Sequence, residues 1–84
     1  MEEEISSNMG FIMGNKQRER IVQILGSKGK MAAEKIAKVE HMPIPSVKRI
    51  LEELGSRKIA AEDSGSWDLT ELGMALEKEM KKRV

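Results

Sequence analysis

The feature that most constrains this chain is a pair of short helical segments separated by two prolines. Residues 32–54 read AAEKIAKVEHMPIPSVKRILEEL, and the connector between the segments contains Pro43 and Pro45. Proline lacks a backbone amide hydrogen and disfavours helical backbone in the residue before it, so a single continuous helix is excluded. The stretch therefore predicts two short helices joined by a tight connection.

Each of these segments carries one apolar stripe. In AAEKIAKV the stripe is narrow and consists mostly of alanine, which allows another helix to approach closely. The second helix starts near Pro45, and its stripe has helical spacing. The residues of this stripe are Val47, Ile50, Leu51 and Leu54. Arg49, Glu52 and Ser56 then point away from the core, where they are free to contact another molecule.

One further helix is predicted before this pair and another at the end of the chain. Asn15 can cap a helix over NKQRERIVQILG, which Gly26 and Gly29 end. Thr70 can cap the last helix, ELGMALEKEMKKR, in the same way. The inner face of that helix is expected to contain Leu72, Leu76 and Met80.

A β-hairpin is predicted between the second proline-flanked helix and the last one. In KIAAEDSGSWDLT, apolar residues alternate around a turn at residues 64–66, with Ile59 and Ala61 before it and Trp67 and Leu69 after it. Alternation of period two around a glycine-containing turn is typical of a hairpin. Because Trp67 shares a strand face with Leu69, we expect a buried aromatic that anchors the hairpin.

Length and charge divide the chain into a leader and one domain. The 84 residues suffice for one small core. Residues 1–14 contain three glutamates and no cation, a balance of −3, whereas residues 15–84 contain all 15 cations and the remaining 11 of 14 anions, a balance of +4. We therefore expect an acidic leader with an apolar segment over residues 1–14 and a mildly basic domain over residues 15–84.

Composition argues against several functional classes. The sequence has no cysteine and a single histidine, His41, which predicts no metal site, no nucleophile paired with a base, no cofactor and no enzymatic activity. No apolar run approaches the roughly 18 residues of a membrane span, and the start MEEEISSNMG lacks the basic residues of a signal peptide. These features indicate a cytoplasmic protein that does not enter a membrane.

The order helix, short helix, tight turn, helix, hairpin, helix resembles the winged helix-turn-helix family over about residues 15–83. The resemblance lies in AAEKIAKV, in IPSVKRILEEL followed five residues after Leu54 by Ile59, and in GSWDLTELGMAL, which looks like the wing strand and following helix of many small prokaryotic regulators. It implies a mainly α fold with a small β-hairpin: a three-helix core, a wing and a C-terminal helix.

The resemblance also implies a function. Such proteins are sequence-specific DNA-binding transcriptional regulators, commonly homodimers, and here the recognition helix would be about residues 45–56, lying in the major groove. Contacts with double-stranded DNA are then expected from that helix, from the helix before it and from the wing. The residues concerned are Ser46, Lys48 and Arg49, then Lys35 and Lys38, then Ser64 and Ser66.

Three features depart from the pattern of that family. Ala32 stands where such helices often have a Ser or Thr cap, and Glu62 and Asp63 occupy a wing that often carries Arg or Lys. Lys48 and Arg49 each have a glutamate four residues on, which partly cancels their positive field. These departures favour an alternative function: a winged-helix module for protein–protein interaction in a transcription complex or another macromolecular complex.

Some apolar residues fall outside the predicted core. Phe11 and Ile12 lie in MGFIM, and Met74 lies nearly opposite the inner stripe of the last helix. We expect these three residues to form a homodimer interface that orients two recognition helices toward successive grooves. The alternative is that residues 9–13 fold over the last helix of their own chain and cover Met74.

Overall fold

The computed structural model describes residues 2–82, which form five α-helices and a three-stranded antiparallel sheet. The expectation of a mainly helical fold with a small amount of β structure is confirmed. The predicted domain limits at residues 1 and 84 lie outside the described residues. In chain order the elements are α1 (Glu2–Met13), α2 (Lys16–Lys28), β1 (Met31–Ala32), α3 (Ala33–Glu40), α4 (Ile44–Ser56), β2 (Ala60–Asp63), β3 (Ser66–Leu69) and α5 (Glu71–Lys82).

Helix α2 begins and ends at the predicted signals. The side-chain oxygen of Asn15 accepts hydrogen bonds from the backbone amides of Gln17 and Arg18, at 2.8 and 3.1 Å. At the other end Gly29 has a φ of 82°, a left-handed conformation that glycine adopts without steric cost. The helix runs through Gly26, so only the second of the two predicted glycines ends it.

Helices α3 and α4 are separate, as the prolines predict. His41 ends α3 in the left-handed region, with a φ of 55°, and Pro43 precedes the first turn of α4. Ala32 precedes α3 without a side-chain capping hydrogen bond. The stripe predicted for α4 is fully buried and consists of Val47, Ile50, Leu51 and Leu54.

The sheet contains one strand more than the sequence predicts. Strand β1 pairs with β3, Met31 opposite Trp67, and β3 pairs with β2, so that the order is β1–β3–β2. The hairpin turn is the two-residue Ser64–Gly65, both with positive φ, which suits a type I′ turn. Ser66, predicted in the turn, therefore starts β3.

The predicted alternation was wrong in β2, and the burial of Trp67 is only partial. Ile59, just before β2, is buried as expected, but Ala60 is buried as well and Ala61 is exposed, so the alternation does not continue into the strand. Trp67 is half-buried, and its ring lies on Gly55 of α4, where an added Cβ would come within 3.2 Å of ring atom Cζ3. Trp67 thus joins the hairpin to α4 while keeping part of its ring in contact with solvent.

The predicted acidic leader is a helix that contributes to the core. Helix α1 packs against α2 and α5, and its Met9 and Ile12 are buried. Ile12 has no exposed surface, so its assignment to a homodimer interface was wrong: its own chain already covers it. Among residues 2–82, no helix combines the length and the apolar character that crossing a membrane requires.

Candidate functional site

The outward face of α4 carries the charged residues that the sequence analysis assigned to DNA. Lys48 and Arg49 are exposed and Ser46 is half-buried, because all three lie off the buried stripe. Glu53, four residues after Arg49, does not pair with it: Glu53 Oε1 accepts a hydrogen bond from Arg18 Nε at 3.3 Å. Within the described part of the chain Arg49 forms no ion pair, so its guanidinium is available to a ligand.

A cleft of about 470 Å³ lies between α4, the start of α3 and the hairpin. We call it the acidic cleft, because its charged lining consists of Glu34, Glu52 and Glu62 against one cation, Lys48. Lys48 Nζ lies 3.8 Å from Glu34 Oε2, so its charge is directed toward α3 rather than toward Glu52. The half-buried Trp67 also lines this cleft. Its excess of negative charge repels phosphate and attracts cationic groups.

The tip of the hairpin carries the two predicted wing serines in different settings. Ser64 is exposed, and Ser66 is half-buried where β3 begins. Next to them Asp63 Oδ2 lies 3.1 Å from Lys30 Nζ, and Ser64 Oγ donates to Asp63 Oδ1 at 3.4 Å. The hydrogen bond and the charge of Lys30 hold the pKa of Asp63 below its ordinary value, and the Ser64 hydroxyl adds to this. Asp63 is thus partly neutralised, whereas Glu62 faces the acidic cleft.

Lys35 lies on another surface. It lines a second groove, of about 500 Å³, between α2, β1 and α3. Lys38, one turn beyond Glu34 on α3, is exposed. The structure therefore does not bring Lys35 and Lys48 to the same cleft, although the sequence analysis placed both in one DNA site. We call the second groove the lysine-rimmed groove; its lining residues are Ile24, Lys28, Lys30, Met31, Lys35 and Val39.

The residues assigned to a homodimer interface occupy different environments. Met74 is 55% exposed on α5. The alternative, in which residues 9–13 fold over the last helix, is right in that α1 packs against α5 and wrong in that Met74 stays largely uncovered. Phe11 is half-buried between two guanidinium groups, with the Cζ atoms of Arg18 and Arg57 at 4.0 and 3.9 Å from its ring centroid. Of the three assigned residues, Met74 therefore offers the most surface to a second chain.

Sequence reasoning missed Glu34 as a partner of Lys48. Its position on the outside of α3 follows from helical spacing, but its approach to Lys48 depends on how α3 packs against α4.

In the stretch from residue 2 to residue 82 no group of three or more His, Asp or Glu side chains is arranged to hold a metal ion. Comparison of the chain with protein-family models, with curated proteins and with solved structures gave no match.

Proposed function

We propose that this protein is a winged helix-turn-helix regulator that binds double-stranded DNA, with α4 as recognition helix and the β2–β3 hairpin as wing. Two features of the fold support the proposal. A left-handed residue, His41, separates the packed helices α3 and α4, and the hairpin lies beside α4 through the contact of Trp67 with Gly55. Helix–turn–helix geometry of this kind presents the outer face of the second helix to the major groove.

Arg49 is the observation that carries the proposal. It is exposed on the first half of α4, and no acid in the described chain pairs with it. An arginine in the major groove binds the O6 and N7 atoms of guanine with two hydrogen bonds. Lys48 and Lys38 would add contacts to phosphates, as would the hydroxyl groups of Ser46, Ser64 and Ser66, since such contacts position a protein on the duplex.

The test is selection of duplexes from a random library, followed by affinity measurements at two salt concentrations. Arg49→Ala should weaken binding to the selected duplex by about 1–3 kcal/mol, because a base contact is lost. Thermal stability should not change, since the side chain is exposed. Lys16→Ala removes the same charge from the exposed start of α2 and should change affinity little. Failure to select any sequence, or equal effects of both variants, would contradict the proposal.

The acidic cleft favours a second candidate, a winged-helix module that binds another protein. Glu34, Glu52 and Glu62 lie where DNA phosphates would approach the wing, and they suit a basic segment of a partner better. Glu62→Lys separates the two functions. If the wing lies beside DNA, this change should raise duplex affinity and steepen its salt dependence. If the cleft binds a protein, duplex affinity should stay weak and partner binding should fall. Glu3→Lys makes the same charge change on α1, away from the cleft, and serves as the control.

We also propose that the regulator acts as a homodimer, because one module contacts a short site and two half-sites supply affinity and specificity. Met74 on α5 supports this part of the proposal by its exposure. Helix α5 packs on α1, α2 and β3, and within the described chain its principal contacts do not include α4. A pairing through α5 would therefore leave both recognition helices accessible.

A further inference from the structure

We propose that the lysine-rimmed groove docks an amphipathic helix with acidic flanks from a partner protein. The groove is formed by the end of α2, by β1 and by the outer side of α3. Neither Arg49 nor any other α4 residue lines it, so it is separate from the face proposed to bind DNA. The inference holds whether or not α4 binds DNA.

The floor of the groove is aliphatic. Ile24 and Met31 line the groove and are almost completely buried, and Val39, which also lines it, is 45% exposed. Val39 follows Lys35 by one helical turn, so both side chains lie on the same side of α3. Because Ile24 and Met31 are already covered, the apolar surface that a partner can still remove from water is mainly that of Val39, and its burial favours binding.

The rim of the groove is cationic. Its charged lining residues, Lys28, Lys30 and Lys35, are all lysines, with no carboxylate among them. Over residues 2–82, neither Lys28 nor Lys35 takes part in an ion pair. Lys30 pairs with Asp63, but both side chains are exposed and solvent screens the pair. The rim is therefore complementary to an acidic partner.

Floor and rim together favour an amphipathic helix as the occupant. Leucines at positions i, i+3, i+4 and i+7 of such a helix would cover Ile24, Met31 and Val39, and glutamates on its flanks would meet the lysines. DNA would use the lysines alone and would leave the aliphatic floor without a partner. Helix α1 of a second copy has an acidic start, but its apolar Met9 and Ile12 are already buried in their own chain. This argues against α1 of a second copy, and we assign the groove to a helix of a different protein.

The experiment uses a synthetic helical peptide with leucines on one face and glutamates on both flanks. A peptide of the same composition in scrambled order is its control. Nuclear magnetic resonance titration of the labelled full-length chain should shift the signals of Ile24, Met31 and Val39 with the first peptide and not with the second. Lys35→Glu should weaken binding about tenfold, since a rim attraction becomes a repulsion. Lys16→Glu, with the same charge change on an exposed residue outside the groove, should not weaken it.

Val39 tests the floor independently of charge. Val39→Asp should reduce peptide binding below detection, and the milder Val39→Ala should weaken it severalfold while keeping the helix intact. Thermal melting of both variants checks that the fold is retained. Equal binding of the two peptides, shifts confined to another surface, or no effect of Val39→Ala would overturn the proposal. One further outcome would also overturn it: a DNA duplex displaces the peptide, and Lys35→Glu weakens binding of that duplex as well. The groove would then be a contact site for DNA phosphates.

Discussion

At the junction between the hairpin and α5, backbone segments pack closely against each other. The carbonyl oxygen of Ile59 accepts a hydrogen bond from the amide of Thr70 at 3.0 Å, and the amide of Gly73 donates to Thr70 Oγ1 at 3.1 Å. A Cβ added at Gly73 would overlap the Ile59 carbonyl oxygen and would lie 3.1 Å from Leu69 Cβ. Only glycine fits at this position, although the residue is inside a helix.

We predict that Gly73→Ala destabilises the protein. The clash with backbone atoms should cost about 1–3 kcal/mol of unfolding free energy, because neither α5 nor β3 can shift without breaking the junction. Gly10→Ala is the matched control: Gly10 is exposed in α1 with nothing within 4 Å of an added Cβ, so helix propensity alone should stabilise it by about 0.5–1 kcal/mol. Urea unfolding measures the change in unfolding free energy for both variants. A change of the same sign in the two variants would contradict the close packing at Gly73.

Asp63 provides a pH-dependent prediction. Lys30 holds the pKa of the Asp63 carboxyl below its ordinary value of 3.8. Because this pKa is lower in the folded state than in the unfolded state, ionised Asp63 stabilises the fold above pH 3.8. This stabilisation is lost as the pH falls through the pKa that Asp63 has in the folded state. Lys30→Met should therefore raise the pKa of Asp63 and cause a small loss of stability that disappears in acid. Titration followed at the Asp63 carboxyl carbon checks this, and Lys28→Met should leave that pKa where it is.

At the level of helices and strands, local signals in the sequence sufficed for part of the fold. Asn15, Gly29 and the prolines determine the ends of helices through interactions within a few residues, and the stripe of α4 follows from its spacing alone. Strand β1 has only two residues, too few for any alternation, and exists because β3 pairs with it. Packing of residues 9–13 on their own chain was only the alternative prediction, although Ile5, Met9 and Ile12 have helical spacing, since the surrounding glutamates, serines and glycine resemble a solvated leader.

The candidate site was predictable by residue type but not by arrangement. The spacing of the buried stripe correctly placed Lys48 and Arg49 on the outer face of α4. Which charges face them depends on the packing of α3 and the hairpin against α4, and that packing brought Glu34 rather than Glu52 to Lys48. Long-range ion pairs such as that of Arg18 with Glu53 leave no mark in local sequence.

Helix α1 is held by stacking of Phe11 between Arg18 and Arg57. The same arginines donate hydrogen bonds to α1, Arg18 to the Phe11 carbonyl at 3.1 Å and Arg57 to Asn8 Oδ1 at 3.2 Å. We predict that Phe11→Leu destabilises the protein by about 1–2 kcal/mol, because two partly exposed cation–π contacts are lost while an apolar side chain remains.

Chemical denaturation of Phe11→Leu provides the measurement. Met13→Leu is the control on the same helix: Met13 is 43% exposed, and its replacement should change stability by less than about 0.5 kcal/mol. Two variants with the same midpoint would show that the stacking contributes nothing to stability. Deletion of residues 1–13 is a poorer experiment, since it would uncover the core that Met9 and Ile12 fill.

For the chain as a whole, oligomeric state is the property most open to a direct test. If α5 pairs two copies, solution mass at micromolar concentration should correspond to a dimer, and Met74→Lys should shift it toward the monomer, because a buried charge has to be desolvated. Val39→Lys is the control, since it places the same charge on α3 at a residue that is 45% exposed, compared with 55% for Met74. It should leave the solution mass unchanged. A monomer in the unmodified protein would refute the homodimer.

The position of Trp67 allows binding to be followed by the intrinsic fluorescence of the protein. The sequence contains one tryptophan and no tyrosine, so emission excited in the near ultraviolet comes from a single indole. That indole rests on Gly55 of the proposed recognition helix and lines the acidic cleft with Glu52 and Glu62. A molecule that binds in the cleft beside the ring should change the polarity around it and shift its emission wavelength. Trp67 does not line the lysine-rimmed groove, although its strand neighbour Met31 does. Fluorescence of the unlabelled protein thus provides a direct signal of binding in the acidic cleft.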